Sequence, residues 1–178
     1  MTSPPFAIVL NGISCSGKST LADALRAALP EPWVRMGIDD FLRMAPVETR
    51  PELYPSLEAA FPLIGGAHRA MAALAHAGNL VILDMILNLE VIAADLSDAL
   101  GDLPMLVVGT QCPVQVATQR GVVRGRDAVE PADQATSIFD HVTPDVMLDT
   151  DRLGVDECVA AVRDALVAQG GSRTRLLR

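Results

Sequence analysis

Five short apolar runs divide the chain: Phe6-Ala7-Ile8-Val9-Leu10, Trp33-Val34-Arg35-Met36, Leu80-Val81-Ile82-Leu83, Met105-Leu106-Val107-Val108 and Val146-Met147-Leu148. Each is too short for a core helix, is rich in branched residues and lacks apolar–polar alternation. That pattern belongs to strands buried on both faces, as in a parallel sheet. The segments between them change period. Leu21, Leu25 and Leu29 recur every fourth residue, which puts one apolar stripe on a helix that Pro30-Glu31-Pro32 then stops. Residues 63–77 read as a second helix ended by Gly78-Asn79, and 90–100 as a third closed by Gly101. Pro113 opens a fourth, 132–140 forms a fifth and 154–168 the last. The stretch 44–62 carries Pro46, Pro51, Pro55 and Pro62 and reads as a loop with short helical pieces, placed to cap a pocket. Strands alternating with helices predict one α/β domain over residues 1–178, a parallel sheet with helices on both faces. Its core lies at about 6–168, and the tail 170–178 frays.

The turn between the first strand and the first helix carries the strongest chemical signal. Gly12-Ile13-Ser14-Cys15-Ser16-Gly17-Lys18-Ser19, followed by Thr20, has the spacing G-x-x-x-x-G-K-S in its required strand–turn–helix context. Such a loop aims backbone N–H groups at one point ahead of a helix N-terminus, where a phosphate can sit. Lys18 then reaches the β- and γ-phosphates, and the Ser19 hydroxyl is placed to ligate Mg²⁺. The expected ligand is a nucleoside triphosphate with its metal, and the loop on the first strand of so short a chain indicates a small kinase.

Composition narrows the partner. Fourteen Lys and Arg against 22 Asp and Glu leave a net charge of −8, the wrong sign for a nucleic-acid partner. No apolar run approaches the roughly 20 residues needed to span a bilayer, and no signal peptide precedes the first strand. The three cysteines (Cys15, Cys112 and Cys158) lack paired spacing, so the expectation is a cytoplasmic protein without disulfide or zinc framework. Cys15, inside the loop, reads as a small residue filling a tight turn, and His68, His76 and His141 read as structural because none has metal-ligand spacing.

Phosphoryl transfer needs positioning, charge neutralisation and an oriented nucleophile. Asp84 follows an apolar strand, the place of a carboxylate that holds Mg²⁺ directly or through water; a helix N-cap or a strand-end turn carboxylate is the other reading. Asp39 leaves the second strand at the carboxyl rim of the sheet, where ligands bind in open α/β folds. It is the candidate base for an acceptor hydroxyl. Its neighbour Asp40 competes for that role but precedes an apolar run as a helix cap does. Arg120, Arg124 and Arg126 form the dense basic cluster in the body of the chain. Arg120 and Arg124 share a helix face at a spacing of four, and Gly125 makes a break before Arg126. Beside a phosphate loop in an acidic protein, this segment is the candidate lid that meets transition-state charge, against the alternative of a solvated basic face.

These pieces together resemble the chloramphenicol phosphotransferase family of small P-loop kinases. The resemblance rests on Leu10-Asn11-Gly12 leading into Ser16-Gly17-Lys18-Ser19, on Leu29-Pro30-Glu31-Pro32-Trp33, and on Met36-Gly37-Ile38-Asp39. It continues through Val81-Ile82-Leu83-Asp84, Val107-Val108-Gly109 with Cys112, the Arg120–Arg126 cluster and Asp145-Val146-Met147-Leu148-Asp149-Thr150. It implies a five-stranded parallel sheet in the order 2-3-1-4-5. It also implies ATP- and Mg²⁺-dependent phosphorylation of a hydroxyl on a small-molecule antibiotic, chloramphenicol or another, with an aspartate base at the position of Asp39. One departure is that Asp84 is followed by Met85 where the family carries paired aspartates. Two other readings compete. A metabolic kinase for a small hydroxylated acid or sugar would want basic residues in its acceptor region, where Arg43 and Arg50 are mixed with Glu48, Glu52 and Glu58. A non-catalytic nucleotide-gated binding protein would need neither a base nor the arginines.

Overall fold

The computed structural model describes residues 6–46, 51–53, 55–125 and 130–169. The expected frayed tail, and Arg126 of the basic cluster, lie outside the described residues. Five strands, β1 (Phe6–Asn11), β2 (Trp33–Gly37), β3 (Leu80–Met85), β4 (Met105–Gln111) and β5 (Val146–Asp149), form an all-parallel sheet in the order β2-β3-β1-β4-β5. That is the sheet and the order implied by the family resemblance. β1 is central, paired with β3 on one side and β4 on the other, so its carboxyl end opens at the middle of the rim.

The unbroken apolar runs are explained by two cores, one on each face. Side chains alternate along a strand, so odd and even positions are sorted. Ala7, Val9, Val81, Leu83, Met105 and Val107 join α3 (Leu57–His76) and α4 (Glu90–Leu100) on one face. Ile8, Leu10, Ile82, Leu106 and Val108 join α1 (Lys18–Ala28) and α7 (Val155–Gln169) on the other. Each fully buried Leu, Ile or Val contributes about 1.5–3 kcal/mol against leaving it exposed. Three further helices, α2 (Ile38–Leu42), α5 (Val114–Val123) and α6 (Glu130–Ala135), lie at the connections near the rim.

The helix expected over 63–77 begins six residues earlier, at Leu57. Pro62 reads as a stop, yet it sits early in the helix, where it removes one backbone bond. Ser56 caps the start by accepting from the Ala59 N–H at 3.4 Å, and Phe61 and Ile64 bury the new turn against the sheet. Between Ala45 and Ser56 the described backbone forms one short 3₁₀ turn, Pro51–Leu53, within the expected loop. The segment expected to be helical over 132–140 forms helix over Glu130–Ala135 and then turns.

Facing polar groups clamp α3 to α4. His68 is fully buried, with Nδ1 2.7 Å from Asp95 Oδ2. Arg69 donates to both oxygens of that carboxylate, at 3.0 and 3.3 Å. Burial pushes the His68 pKa below its ordinary 6.5, against the pull of Asp95. Burial raises the Asp95 pKa, but hydrogen bonds from Arg69 and His68 outweigh it and hold it below the usual value. The unfolded chain therefore binds the His68 proton at higher pH than the folded one, so stability is lost as pH falls below about 6.5. We expect the unfolding free energy from urea titration to decline between about pH 7 and 5 and the slope to flatten in His68→Gln; equal slopes in the two proteins would place the titration elsewhere.

Candidate active site

The site is built where β1 ends. Asn11 is fully buried and bonded in two directions: its Nδ2 donates to the Ile138 carbonyl at 2.7 Å, and its Oδ1 accepts the Leu87 N–H at 2.9 Å. This joins the ends of β1 and β3 to the segment after α6. The loop that follows lies so close to β4 that a Cβ at Gly12 would come within 2.4 Å of Thr110 Oγ1 and O. Ser16 Oγ bonds Thr110 Oγ1 at 2.7 Å. Thr150, just past β5, donates its hydroxyl to the Ser16 carbonyl at 2.6 Å. Cys15 turns the loop at φ +60°, and Gly17 at φ +103° hands it to α1. Cys15 is packed with Ile13, Ala117 and Ile138, as the reading of a small residue filling a turn anticipated.

The N-cap of α1 is Gly17, which has no side chain to cap the helix, and the N–H groups of a first turn left this way suit an anion. Lys18 is buried and donates to the Gly12 and Ile13 carbonyls, each at 2.8 Å, closing the loop into a ring. Ser19 Oγ donates to Asp84 Oδ2 at 2.6 Å. The two residues expected to share a cation are thus adjacent, and a hydroxyl beside a carboxylate is a donor set that suits Mg²⁺.

Ser14, Cys15, Gly17, Lys18, Ser19, Asp39, Asp84 and Arg124 line one cleft, together with Arg35, Gly37, Ile38 and Ile86. Gly12, Ile13 and Ser16 of the same loop are buried and are not among the residues that line it. Asp40 behaves differently from Asp39. Its Oδ2 accepts the Gly37 N–H at 2.8 Å, at the start of α2, and lies 3.6 Å from Arg35; its Oδ1 accepts from Arg43 at 3.2 Å. Arg120 is also set apart, because its guanidinium donates to Thr150 Oγ1 at 3.2 Å and to Thr150 O at 2.9 Å. It lines a second cavity with Thr20, Leu21, Thr150, Leu153, Val155 and Cys158, which shares Gly17 and Arg124 with the first. Arg124 ends α5, and Gly125 follows it at φ +69°.

Three residues escaped the sequence reading. Arg35 is the charged residue inside the apolar run of β2, and that interruption was its signal. Gln134 Oε1 accepts the Ser14 N–H at 2.6 Å, reaching the loop from α6, and Thr150 holds both Ser16 and Arg120; nothing in the local pattern marks Gln134, and Thr150 only ends a stretch that carries the family resemblance. All three cysteines are free thiols, and burial pushes those of Cys112 and Cys158 up. Among the described residues no three His, Cys, Asp or Glu side chains converge as a metal cluster, and no helix is long and apolar enough to cross a membrane.

Residues 6–167 match the family described as chloramphenicol phosphotransferase-like protein, so the chain belongs to that family. None of the curated proteins matches it significantly. Among solved structures, the APS kinase of Mycobacterium tuberculosis in complex with AMPPNP and APS is 21% identical, with 93% of this chain and 99% of that one aligned at a TM-score of 0.67. The tunicamycin resistance protein of Deinococcus radiodurans is 18% identical over 99% and 100% of the two chains, with a TM-score of 0.64. The shikimate kinase of Aquifex aeolicus is 17% identical over 93% and 99%, with a TM-score of 0.61. The fold is that of the P-loop kinases.

Gly12→Ala tests the loop. Its methyl group would collide with backbone as well as side chain of Thr110, so the loop must move off β4. We expect a thermal midpoint lower by several degrees, as for a loss of about 1–3 kcal/mol, and no measurable binding of a fluorescent ATP analogue. Near-native binding would show that the close approach to β4 is dispensable.

Proposed function

We propose that this member of the chloramphenicol phosphotransferase-like family transfers the γ-phosphoryl group of ATP to a hydroxyl of a small-molecule antibiotic, inactivating it. The observation that supports this reading is the shared cleft: Asp39 lines the same space as Lys18, Ser19, Asp84 and Arg124 and lies 4.0 Å from Arg43, while Asp40, held by the Gly37 N–H, Arg35 and Arg43, is not among the residues that line it. In this reading the loop amides and Lys18 hold the β- and γ-phosphates. The adjoining cavity lined by Thr20, Leu21, Arg120 and Thr150 takes the nucleoside. Mg²⁺ would be held at Ser19 and Asp84, and when bound it supplies charge neutralisation to the phosphates.

The acceptor enters from the side of Gly37, Ile38 and Ile86. Asp39 orients its hydroxyl and takes the proton as the new oxygen–phosphorus bond forms, while ADP leaves. Lys18 and Arg124 meet the negative charge that spreads over the transferred group. Arg120, held on Thr150, keeps the floor of the nucleoside cavity and the loop in register. The same charges favour a neutral acceptor over the small acid of a metabolic kinase. Arg35, which lines the cleft, and Arg43, at the end of α2, are both paired with carboxylates. An acidic substrate would have to break those pairs.

The deciding experiment measures ADP release with a panel of hydroxylated antibiotics, with shikimate- and gluconate-like acids as controls. Release stimulated by an antibiotic and not by the acids is the expected result; stimulation by the acids alone would make this a metabolic kinase, and stimulation by neither would favour a nucleotide-gated binding protein. Lys18→Ala should abolish turnover. Asp39→Asn should lower kcat by about 10²–10⁴ with ATP affinity nearly unchanged, and Asp40→Asn should act on stability more than on rate. A dead Asp40→Asn beside an active Asp39→Asn would exchange the two roles.

A further inference from the structure

Arg35 has no place in the phosphate loop, yet it occupies the position from which Asp84 is controlled. Its NH2 donates to Asp84 Oδ2 at 3.1 Å, the same oxygen that receives the Ser19 hydroxyl at 2.6 Å. NH1 lies 3.6 Å from Asp40 Oδ2 and Nε 4.0 Å from Asp23 Oδ1, and Nε is buried without a hydrogen-bond partner among the described residues. Three elements, α1, α2 and β3, thus each turn one carboxylate toward a guanidinium on β2. The partners are unequal. The side chains of Asp23 and Asp40 are 56% and 39% exposed, so water and salt screen them, whereas that of Asp84 is 10% exposed. The desolvated pair is Arg35 with Asp84.

We infer that Arg35 is a positioning residue that keeps a bare divalent cation out of the site, so that the cation enters with its nucleotide. This rests on the reading that Ser19 and Asp84 hold Mg²⁺. A guanidinium on Asp84 Oδ2 already neutralises the one buried carboxylate beside Ser19. A cation arriving alone would meet Arg35 and the buried Lys18 at short range, where like charges repel. The phosphates of a nucleotide reverse that balance, because they bring more negative charge than the two side chains carry. Removing the guanidinium leaves an uncompensated buried carboxylate, and such a group recruits a cation.

The test uses the full chain and Mn²⁺ alone, followed by electron paramagnetic resonance without nucleotide. The wild type should show only weak, unsaturated binding. Arg35→Met, which keeps the bulk of the stem and removes the charge, should bind one Mn²⁺ at least tenfold more tightly, and Arg35→Met combined with Asp84→Asn should lose that gain. Arg35→Lys should stay close to the wild type. The inference is overturned if Arg35→Met binds Mn²⁺ no better than the wild type, or if the gain survives Asp84→Asn. Arg35→Gln supplies the same comparison should the methionine variant unfold. A parallel titration of the wild type with a fluorescent ATP analogue and Mg²⁺ separates the two readings. Failure to bind there refutes the nucleotide site itself, while the Mn²⁺ comparison still decides the role of Arg35.

Discussion

The contact on which the site depends is the one between the loop after β1 and the backbone of β4. Gly12 leaves no space for a side chain against Thr110, and this closeness lets one hydroxyl, Thr110 Oγ1, bond Ser16 directly. From Ser16 the chain of bonds runs through its carbonyl to Thr150 and on to Arg120. A loop of eight residues with a left-handed non-glycine residue at its centre would not hold this shape alone, since that conformation is disfavoured by about 1–2 kcal/mol. The surrounding bonds hold it in place. They come from β4, from the turn after β5 and from Gln134 of α6, so the phosphate site exists only when the central and outer parts of the sheet are assembled.

The fold was legible because a parallel sheet buries both faces of each strand. Such strands leave unbroken apolar runs that no surface helix produces, and all five runs became strands. The loop was legible for a related reason: its glycines and lysine answer steric and electrostatic demands that few residues meet. What escaped was set by contacts distant in sequence. The early start of α3 depended on the cap from Ser56 and on packing of Phe61 and Ile64, which outweighed the local signal of Pro62. Thr150 and Gln134 reach the loop across 134 and 120 residues of sequence, and nothing in their neighbourhoods announces it. Spacing groups Arg120 and Arg124, and both border the second cavity; the Arg120 guanidinium is bonded to Thr150, while Arg124 borders the first cleft as well.

The charge arrangement explains how an acidic protein can hold a polyanion. A net charge of −8 repels phosphates at long range, but the Debye length is near 8 Å at physiological salt. Within the cleft the short-range balance differs: among the described residues Lys18, Arg35 and Arg124 face Asp39 and Asp84, an excess of one positive charge before the helix N-terminus is added. The carboxylates are not surplus to that excess. Asp84 is tied to Ser19 and Arg35, and Asp39 lines the cleft from the first turn of α2, just past β2. Cations therefore gather beside the phosphate loop, and under the proposed reaction Asp39 stands where a hydroxyl would lose its proton. That separation, made by which strand end each residue leaves, is what lets one small cleft handle opposite charges within a few ångströms.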